Sequence, residues 1–275
     1  MTAAICAACG TKYPDRRAAC AICEDDRQYV PPDGQQWIEL DAFAGRKKVI
    51  IKSDDGVIGV GVDPSFAINQ RAIIVRGTAM SIMWESLSLV TDEAVAAITR
   101  DGPIDAIAIS HPHFYAAMQD WSDALGGVPI YLHELDWEWA ENVGVKNAEF
   151  WKDDEFELAP GMTLLRCGGH FPGSVALHWR DARRPAGALL SGDALQVSAN
   201  CKHVSFMYSY PNAIPMRSED VAHMRAVLDG YAFDDIYGYT WRRNIVGGAR
   251  AAVDASFRKF FEMVGRRDLE KVKLE

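Results

Sequence analysis

Two histidines, His111 and His113, stand one residue apart at the end of the apolar run 104–110. Two imidazoles at positions i and i+2 can turn toward a single metal ion, and histidine is a common ligand of zinc and iron. The side chains that follow, Phe114, Tyr115 and Ala116, offer no comparable ligand. The pair therefore indicates part of a metal site, whose other ligands have to come from elsewhere in the chain.

Two further loops carry metal-binding residue types, and each of them also follows an apolar stretch. One reads "CGGH" and ends at His170, and the other reads "SGD" and ends at Asp193. Glycine permits tight turns at the ends of buried strands, which is where functional sites are commonly built. Together with the histidine pair, these loops are the candidate functional site.

In this order and at these intervals, the HxH, GGH and SGD motifs resemble the metallo-β-lactamase fold superfamily. The resemblance covers about residues 35–260. The stretches "FAINQRA" and "SFMYSYPN" and the cysteine-rich N-terminus add a likeness to a bacterial subgroup of metallo-hydrolase-like proteins. The resemblance implies an αββα sandwich and a hydrolase that depends on zinc or iron.

The resemblance also assigns roles to individual residues. His111, His113 and His170 match the histidines that bind the first metal of the family. Asp193 matches the aspartate that bridges both metals. Glu85, in "MWES", falls where the family has an acid that supports the ligands without being one.

The departures from the family pattern all concern the second metal. Its aspartate and histidine in HxHxDH fall at Tyr115 and Ala116, and the stretch 236–241, "IYGYTW", lacks the last histidine. Because the first-metal ligands are all kept, we expect a mononuclear zinc or iron site completed by Asp193 and water. Such a site brings the pKa of the water near neutrality. We expect Asp193 to serve as the general base and Tyr115 to donate a hydrogen bond to a developing oxyanion.

Four of the six cysteines form two CxxC pairs separated by ten residues: Cys6, Cys9, Cys20 and Cys23. In a reducing compartment this spacing predicts one zinc ion held tetrahedrally by four thiolates. Disulfides in a secreted domain are the alternative, and the N-terminal residues do not resemble a signal peptide. A segment this short has almost no core, so the predicted role of the zinc is structural.

The elements that position these residues follow this zinc ribbon. Pro31, Pro32 and Gly34 break any regular element, which predicts a ribbon over residues 1–32 and an αββα domain over 33–275. The run 104–110 is almost fully apolar, as expected of an inner strand covered on both faces. Strands and helices alternate, and the predicted fold class is α+β. Strands are predicted at 48–52, 57–62, 71–76, 81–84, 104–110, 128–132, 162–167, 174–179, 187–192 and 234–237.

Composition limits the classes of function. The 275 residues are 49% hydrophobic and 24% charged, which is typical of a soluble globular protein. A net charge of −9 disfavours nucleic acid as a partner. No apolar run approaches the roughly 20 residues of a membrane span. We therefore expect a cytoplasmic protein that acts on a small molecule.

Three functions remain in competition. The first is a mononuclear metal-dependent hydrolase that acts on a small ester, thioester or lactone. The alternative is a catalytically inactive member of the same fold that serves as a binding or scaffold module. A nucleic-acid enzyme is the weakest of the three, because of the acidic charge and the missing second-metal ligands. The sequence contains no signal for an oligomeric state.

Overall fold

The computed structural model describes residues 4–271. The first element is a small antiparallel sheet with strand order β2-β1-β3, followed by a short helix, α1. Strand β3 comes from beyond residue 32, so the sheet spans the predicted domain boundary, and the two domain extents stay predictions. The bounds are β1 Ala4–Cys6, β2 Lys12–Tyr13, β3 Trp37–Glu39 and α1 Leu40–Ala44.

The next seven strands form one sheet with the order β10-β9-β8-β7-β6-β5-β4. Strands β4 to β7 are antiparallel, whereas β7 to β10 are parallel and connected through the helices α2, α3 and α4. The strands are β4 Lys48–Asp54, β5 Val57–Asp63, β6 Ala72–Arg76, β7 Ser81–Trp84, β8 Ala106–Ala108, β9 Ile130–His133 and β10 Ala148–Trp151. The helices are α2 Asp92–Thr99, α3 Met118–Ala124 and α4 Trp137–Val143.

A second sheet of six strands has the order β11-β12-β13-β14-β19-β20. Two short hairpins, β15/β16 and β17/β18, and the helix α5 lie between β14 and β19 along the chain, and α6 follows β20. The strands are β11 Glu155–Ala159, β12 Met162–Arg166, β13 Val175–Asp181, β14 Arg184–Leu190, β15 Gln196–Val197, β16 Val204–Ser205, β17 Met207–Ser209, β18 Ile214–Pro215, β19 Asp235–Tyr237 and β20 Asn244–Val246. The helices are α5 Ser218–Asp229 and α6 Ala249–Met263.

The two larger sheets pack face to face, with helices on both outer faces. Successive residues of a strand point to opposite faces, so Ile73 and Val75 of β6 enter the core between the sheets. Ala72 and Ile74 of the same strand enter the outer core, which includes residues of α2 and α3. On the far side, α5 and α6 cover the second sheet. The predicted αββα sandwich is therefore confirmed.

Strand β8 carries the histidine loop and lies between β7 and β9 inside the first sheet. The prediction of an inner strand in the run 104–110 is therefore confirmed. The sequence did not predict strands β10, β11 and β20 or the two hairpins. Among residues 4–271, no helix is both long enough and apolar enough to cross a lipid bilayer.

Candidate metal centre

The first two histidines are positioned by the turn that follows β8. A 3-10 helix, Pro112–Phe114, begins directly after His111, so the chain turns soon after the end of strand β8. The Ser110 hydroxyl lies 2.8 Å from Nδ1 of His111, and its main-chain N–H donates to Oε2 of Glu85 at 3.1 Å. Because Nδ1 of His111 has this partner, its Nε2 is the nitrogen available to a ligand.

The third histidine is held by a loop with two left-handed glycines. Gly168 and Gly169 have φ angles of 65° and 78°, which side chains with a Cβ rarely adopt. Nδ1–H of His170 donates to the main-chain oxygen of Tyr208 at 2.9 Å. The neutral ring then has a bare Nε2, and this atom lies 3.2 Å from Nδ1 of His113.

Asp193 completes the group from the loop after β14. Its Oδ2 lies 3.7 Å from Nε2 of His111, and the residue is only 4% exposed. One ligand atom from each of His111, His113, His170 and Asp193 lies within 4.8 Å of all the others. The structure thus brings together all four residues that the motifs nominated as first-metal ligands.

Several polar atoms in this group have no hydrogen-bond partner. They are Nε2 of His111, Nε2 of His113, Oδ1 of Asp193 and Oε1 of Glu85. A buried polar atom without a partner costs about 1–3 kcal/mol, so four in one place require an explanation. A cation between the imidazoles and the carboxylate would satisfy Nε2 of His111 and Oδ1 of Asp193 and offset the buried negative charge. The residues present therefore fit a metal ion.

Burial holds the three histidines of the site in the protonation state that binds metals, whereas it raises the pKa of Asp193 well above its usual value. Burial lowers the pKa of His111 and His113 well below the usual histidine value, and it lowers the pKa of His170 to about 4. The three imidazoles are therefore neutral at pH 7, which is the form that ligates a metal. Burial also raises the pKa of Glu85 to about 8, so that this carboxyl is largely protonated at neutral pH.

A cavity of about 280 Å³ opens over His113, His170 and Asp193. Its walls include the aromatic side chains of Tyr210 and Tyr239. The Tyr239 hydroxyl accepts a hydrogen bond from Nε2 of Gln196 at 2.5 Å. Sequence reasoning did not identify either tyrosine as part of the site.

Tyr115 and Ala116 stand where the family has two ligands of the second metal, and both make contacts within the protein. Tyr115 is buried, and its hydroxyl donates to the main-chain oxygen of Asp136 at 3.4 Å. The main-chain oxygen of Ala116 accepts from the N–H of Lys12 at 2.9 Å. Tyr115 is not among the residues that line the cavity, so its role as an oxyanion donor stays a prediction without geometric support.

The four ribbon cysteines form the other group that can hold a metal. Sγ of Cys6 lies 3.6 Å from Sγ of Cys23, and Sγ of Cys9 lies 3.6 Å from Sγ of Cys20. These distances exclude disulfides of about 2.05 Å and are close to the roughly 3.8 Å edge of a tetrahedron with 2.3 Å metal–sulfur bonds. Gln35 donates from Nε2 to Sγ of Cys6 at 3.3 Å, a contact that favours a thiolate. Across residues 4–271, ligand-type side chains gather in this group and in the histidine group.

The other histidines belong to ordinary packing. His133 is buried, with Nε2–H donating to the Asp153 carbonyl at 3.0 Å, as expected of a satisfied core histidine. Nε2 of His178 lies 2.8 Å from the Ala232 carbonyl oxygen. His223 is half-buried, and its Nε2 lies 3.3 Å from the carbonyl oxygen of Arg166 at the end of β12. Cys167 is a buried thiol outside the site.

No protein-family profile matches the chain. A curated relative, the uncharacterized protein YmaE of Bacillus subtilis (strain 168), is 35% identical over 239 residues, which cover 85% of this chain and 86% of YmaE. The crystal structure of VMB-1 matches with a TM-score of 0.56 at 14% identity, over 78% of this chain and 98% of that one. The metallo-β-lactamase SMB-1, solved with mercaptoacetic acid, matches with a TM-score of 0.50 at 16% identity, over 75% of this chain and 92% of that one. At these identities the solved structures show a common fold.

Proposed function

We propose that the chain, which is a relative of YmaE and has the fold of the metallo-β-lactamases, is a mononuclear metal-dependent hydrolase. One observation supports this above all: four buried ligand groups converge within 4.8 Å, and atoms of three of them have no hydrogen-bond partner. His111, His113, His170 and Asp193 would hold zinc or iron. The ion would supply Lewis acidity and lower the pKa of water to near neutrality.

Residues of the chain would orient the metal ligands and accept the proton of the attacking water. Ser110 holds the ring of His111, and the Tyr208 carbonyl holds that of His170. Oδ1 of Asp193 has no partner, so this carboxylate can accept the proton of the attacking water. Tyr210 and Tyr239 wall the cavity, and such walls limit the access of bulk water.

The proposed substrate is a small ester, thioester or lactone. The cavity of about 280 Å³ has room for a small acyl compound but is far too narrow for a nucleic-acid duplex. Hydrolysis of such a compound needs an activated water and a carbonyl held near it. The ligand group borders the cavity, which leaves space for both.

Metal content and turnover together test this function. The wild type and His111→Ala are loaded with zinc or iron, dialysed, and compared by elemental analysis and on a panel of esters, thioesters and lactones. We expect His111→Ala to lose about one ion per chain and to hydrolyse at least about 100-fold more slowly. The matched control is His203→Ala, which removes an exposed histidine outside the site. Equal metal content in wild type and His111→Ala would exclude the proposed site.

A non-catalytic binding module is the second candidate. It is favoured by Tyr115 and Ala116, which occupy the positions of two second-metal ligands and make contacts with the core and the ribbon. This function would be supported if the protein binds one zinc or iron ion at the histidines and hydrolyses no member of the panel.

A further inference from the structure

The N-terminal ribbon is fastened to the hairpin β17/β18, in which the Tyr208 carbonyl accepts a hydrogen bond from His170. The Ser209 hydroxyl donates to the main-chain oxygen of Arg27 at 3.0 Å. The side-chain amide of Asn212 donates to the main-chain oxygens of Asp26 and Gln28 at 3.1 and 3.2 Å. Three hydrogen bonds to consecutive carbonyl groups fix the path of the ribbon backbone here.

An arginine of the same ribbon segment packs directly behind the site. The guanidinium of Arg27 lies 4.6 Å from the ring centroids of both Phe171 and Tyr208. The Phe171 ring in turn lies 4.9 Å from the ring of His113. Asp25 pairs with the guanidinium at 2.8 Å, so its charge is already compensated. The ribbon therefore forms part of the packing around the histidines.

Three ribbon residues also face the cavity above the histidines: Ala8, Gln28 and Tyr29. Tyr29 is 47% exposed, which is high for an aromatic side chain that borders a cavity. Further burial of such a ring against a bound apolar group would be favourable. The ribbon thus supplies a wall of the candidate site and leaves a large side chain available at its rim.

The cysteine group determines where this wall lies. The N–H groups of Cys23 and Glu24 both donate to the carbonyl of Cys20 at 3.0 Å, and the turn then continues to a bond from the Gln28 N–H to the Asp25 carbonyl at 3.0 Å. The segment that reaches the cavity is therefore a direct extension of the second CxxC turn. Holding the cysteines together also holds Gln28 in place.

The lining of the cavity indicates the charge of its ligand. Among the described residues that line it, none is a lysine or an arginine. The nearby Arg27 is paired with Asp25 and packed against aromatic rings. Apolar and aromatic groups dominate the remainder of the wall, including Ile68 and Pro211. An anionic group held against this wall, away from the metal ligands, would lose its hydration without gaining a cationic side chain as a partner.

We propose that the ribbon selects the substrate: Tyr29 and Gln28 contact the non-reacting part of a neutral ester-type substrate that carries a short apolar or aromatic group. The proposal rests on the proposed function for the identity of the reacting group. It gives the cysteine segment a role in recognition beyond that of a structural element. Tyr29 supplies the apolar contact, and the Gln28 amide can hydrogen-bond a neutral polar group.

Binding of a compound that cannot be hydrolysed tests the ribbon independently of turnover. The probe is butyrophenone, a neutral aryl ketone, followed in ligand-observed NMR titrations of the zinc-loaded protein. Tyr29→Ala should weaken butyrophenone binding about fivefold through lost apolar burial. The matched control is Val30→Ala, because Val30 is the next residue, is 39% exposed and does not line the cavity. Val30→Ala should leave the affinity unchanged.

Two results would overturn the proposal: equal effects of Tyr29→Ala and Val30→Ala, or no binding of butyrophenone to the wild type. Zinc content and thermal unfolding of Tyr29→Ala establish that the ribbon is intact.

Hydrolysis of phenyl butyrate separates this proposal from the proposed function. If the wild type hydrolyses the ester with the same kcat/KM as Tyr29→Ala, the hydrolase stands and the ribbon role falls. If neither phenyl butyrate nor any ester, thioester or lactone of the panel is hydrolysed while Tyr29→Ala still loses ketone binding, the ribbon contact stands and the proposed function falls.

Discussion

The main-chain N–H of Ser110 donates a hydrogen bond to Oε2 of Glu85 at 3.1 Å, in the buried space behind the histidines. Glu85 has a φ of 70°, a left-handed conformation that a non-glycine residue rarely adopts. The Ser110 hydroxyl lies 2.8 Å from Nδ1 of His111, so Glu85 acts on that ring through Ser110. We therefore propose that Glu85 is a positioning residue, which is the role that the sequence resemblance implied for it.

Removal of the Glu85 carboxyl should weaken the metal site without removing a ligand. We expect Glu85→Ala to reduce zinc affinity at the histidines about tenfold, because the Ser110 N–H loses its acceptor. Glu85→Gln keeps an oxygen in the same place and should stay within about threefold of the wild type. Competition with a chelator measures both affinities. Equal losses in the two variants would contradict the positioning role.

Loss of one ribbon cysteine should release the ribbon metal. We expect Cys20→Ser to lose about one zinc ion per chain and to expose residues 1–30 to protease, while the body stays folded. Elemental analysis and limited proteolysis measure the two effects. Cys201→Ser is the matched control, because Cys201 lies outside the cysteine group. A zinc content in Cys20→Ser that equals that of the control would contradict a four-cysteine metal site.

A substitution at Gly169 should destabilise the loop that carries His170. Gly169 has a φ of 78°, and a Cβ built on it would lie 2.7 Å from Sδ of Met216. We expect Gly169→Ala to lower the free energy of unfolding in urea by about 1–3 kcal/mol. Gly230→Ala is the control, because Gly230 has a φ of −75° and no neighbour within 4 Å of a built Cβ. Similar stabilities for the two variants would show that the left-handed turn carries no strain.

The buried carboxyl of Asp136 should make stability depend on pH. Burial raises its pKa to about 7, although the Gly173 N–H and the charge of Arg27 act in the opposite direction. Above pH 4 the unfolded carboxyl is ionised while the folded one stays protonated. A rise from pH 4 to pH 7 therefore favours the unfolded state, by up to about 1.4 kcal/mol for each unit of pKa difference.

Asp136→Asn removes this titration, so its stability relative to the wild type should increase over that pH interval. Urea unfolding at pH 4.5 and pH 7.5 measures the change. A stability difference between variant and wild type that is the same at both pH values would show that Asp136 titrates normally.

The order of motifs was sufficient to predict the fold. His111, His170 and Asp193 each follow a strand, and an apolar run such as 104–110 fits only the inside of a sheet covered on both faces. The edge strand β10 and the edge strand β20 escaped prediction because their exposed residues, such as Phe150 and Val246, break the alternation expected of a half-buried strand.

The walls of the site could not be read from the sequence. Gln28 and Tyr29 are far from Tyr239 in the chain and meet it only through tertiary packing. Tyr115 is the opposite case. It lies two residues after His113 in the sequence, yet its side chain enters the core and not the cavity wall. Proximity along the chain located the ligands, which sit at the ends of strands. It gave no information on the side chains that surround a ligand-binding space.

The hydrogen bonds that fasten the ribbon have a consequence for how specificity can change. Ser209 and Asn212 bind the main-chain oxygens of Asp26, Arg27 and Gln28, so they recognise the path of the backbone and not the identity of the side chains. Gln28 and the neighbouring Tyr29 can therefore be exchanged while the ribbon stays docked. A combinatorial library at these two positions would diversify the ligand preference of the protein without touching a residue that holds the metal.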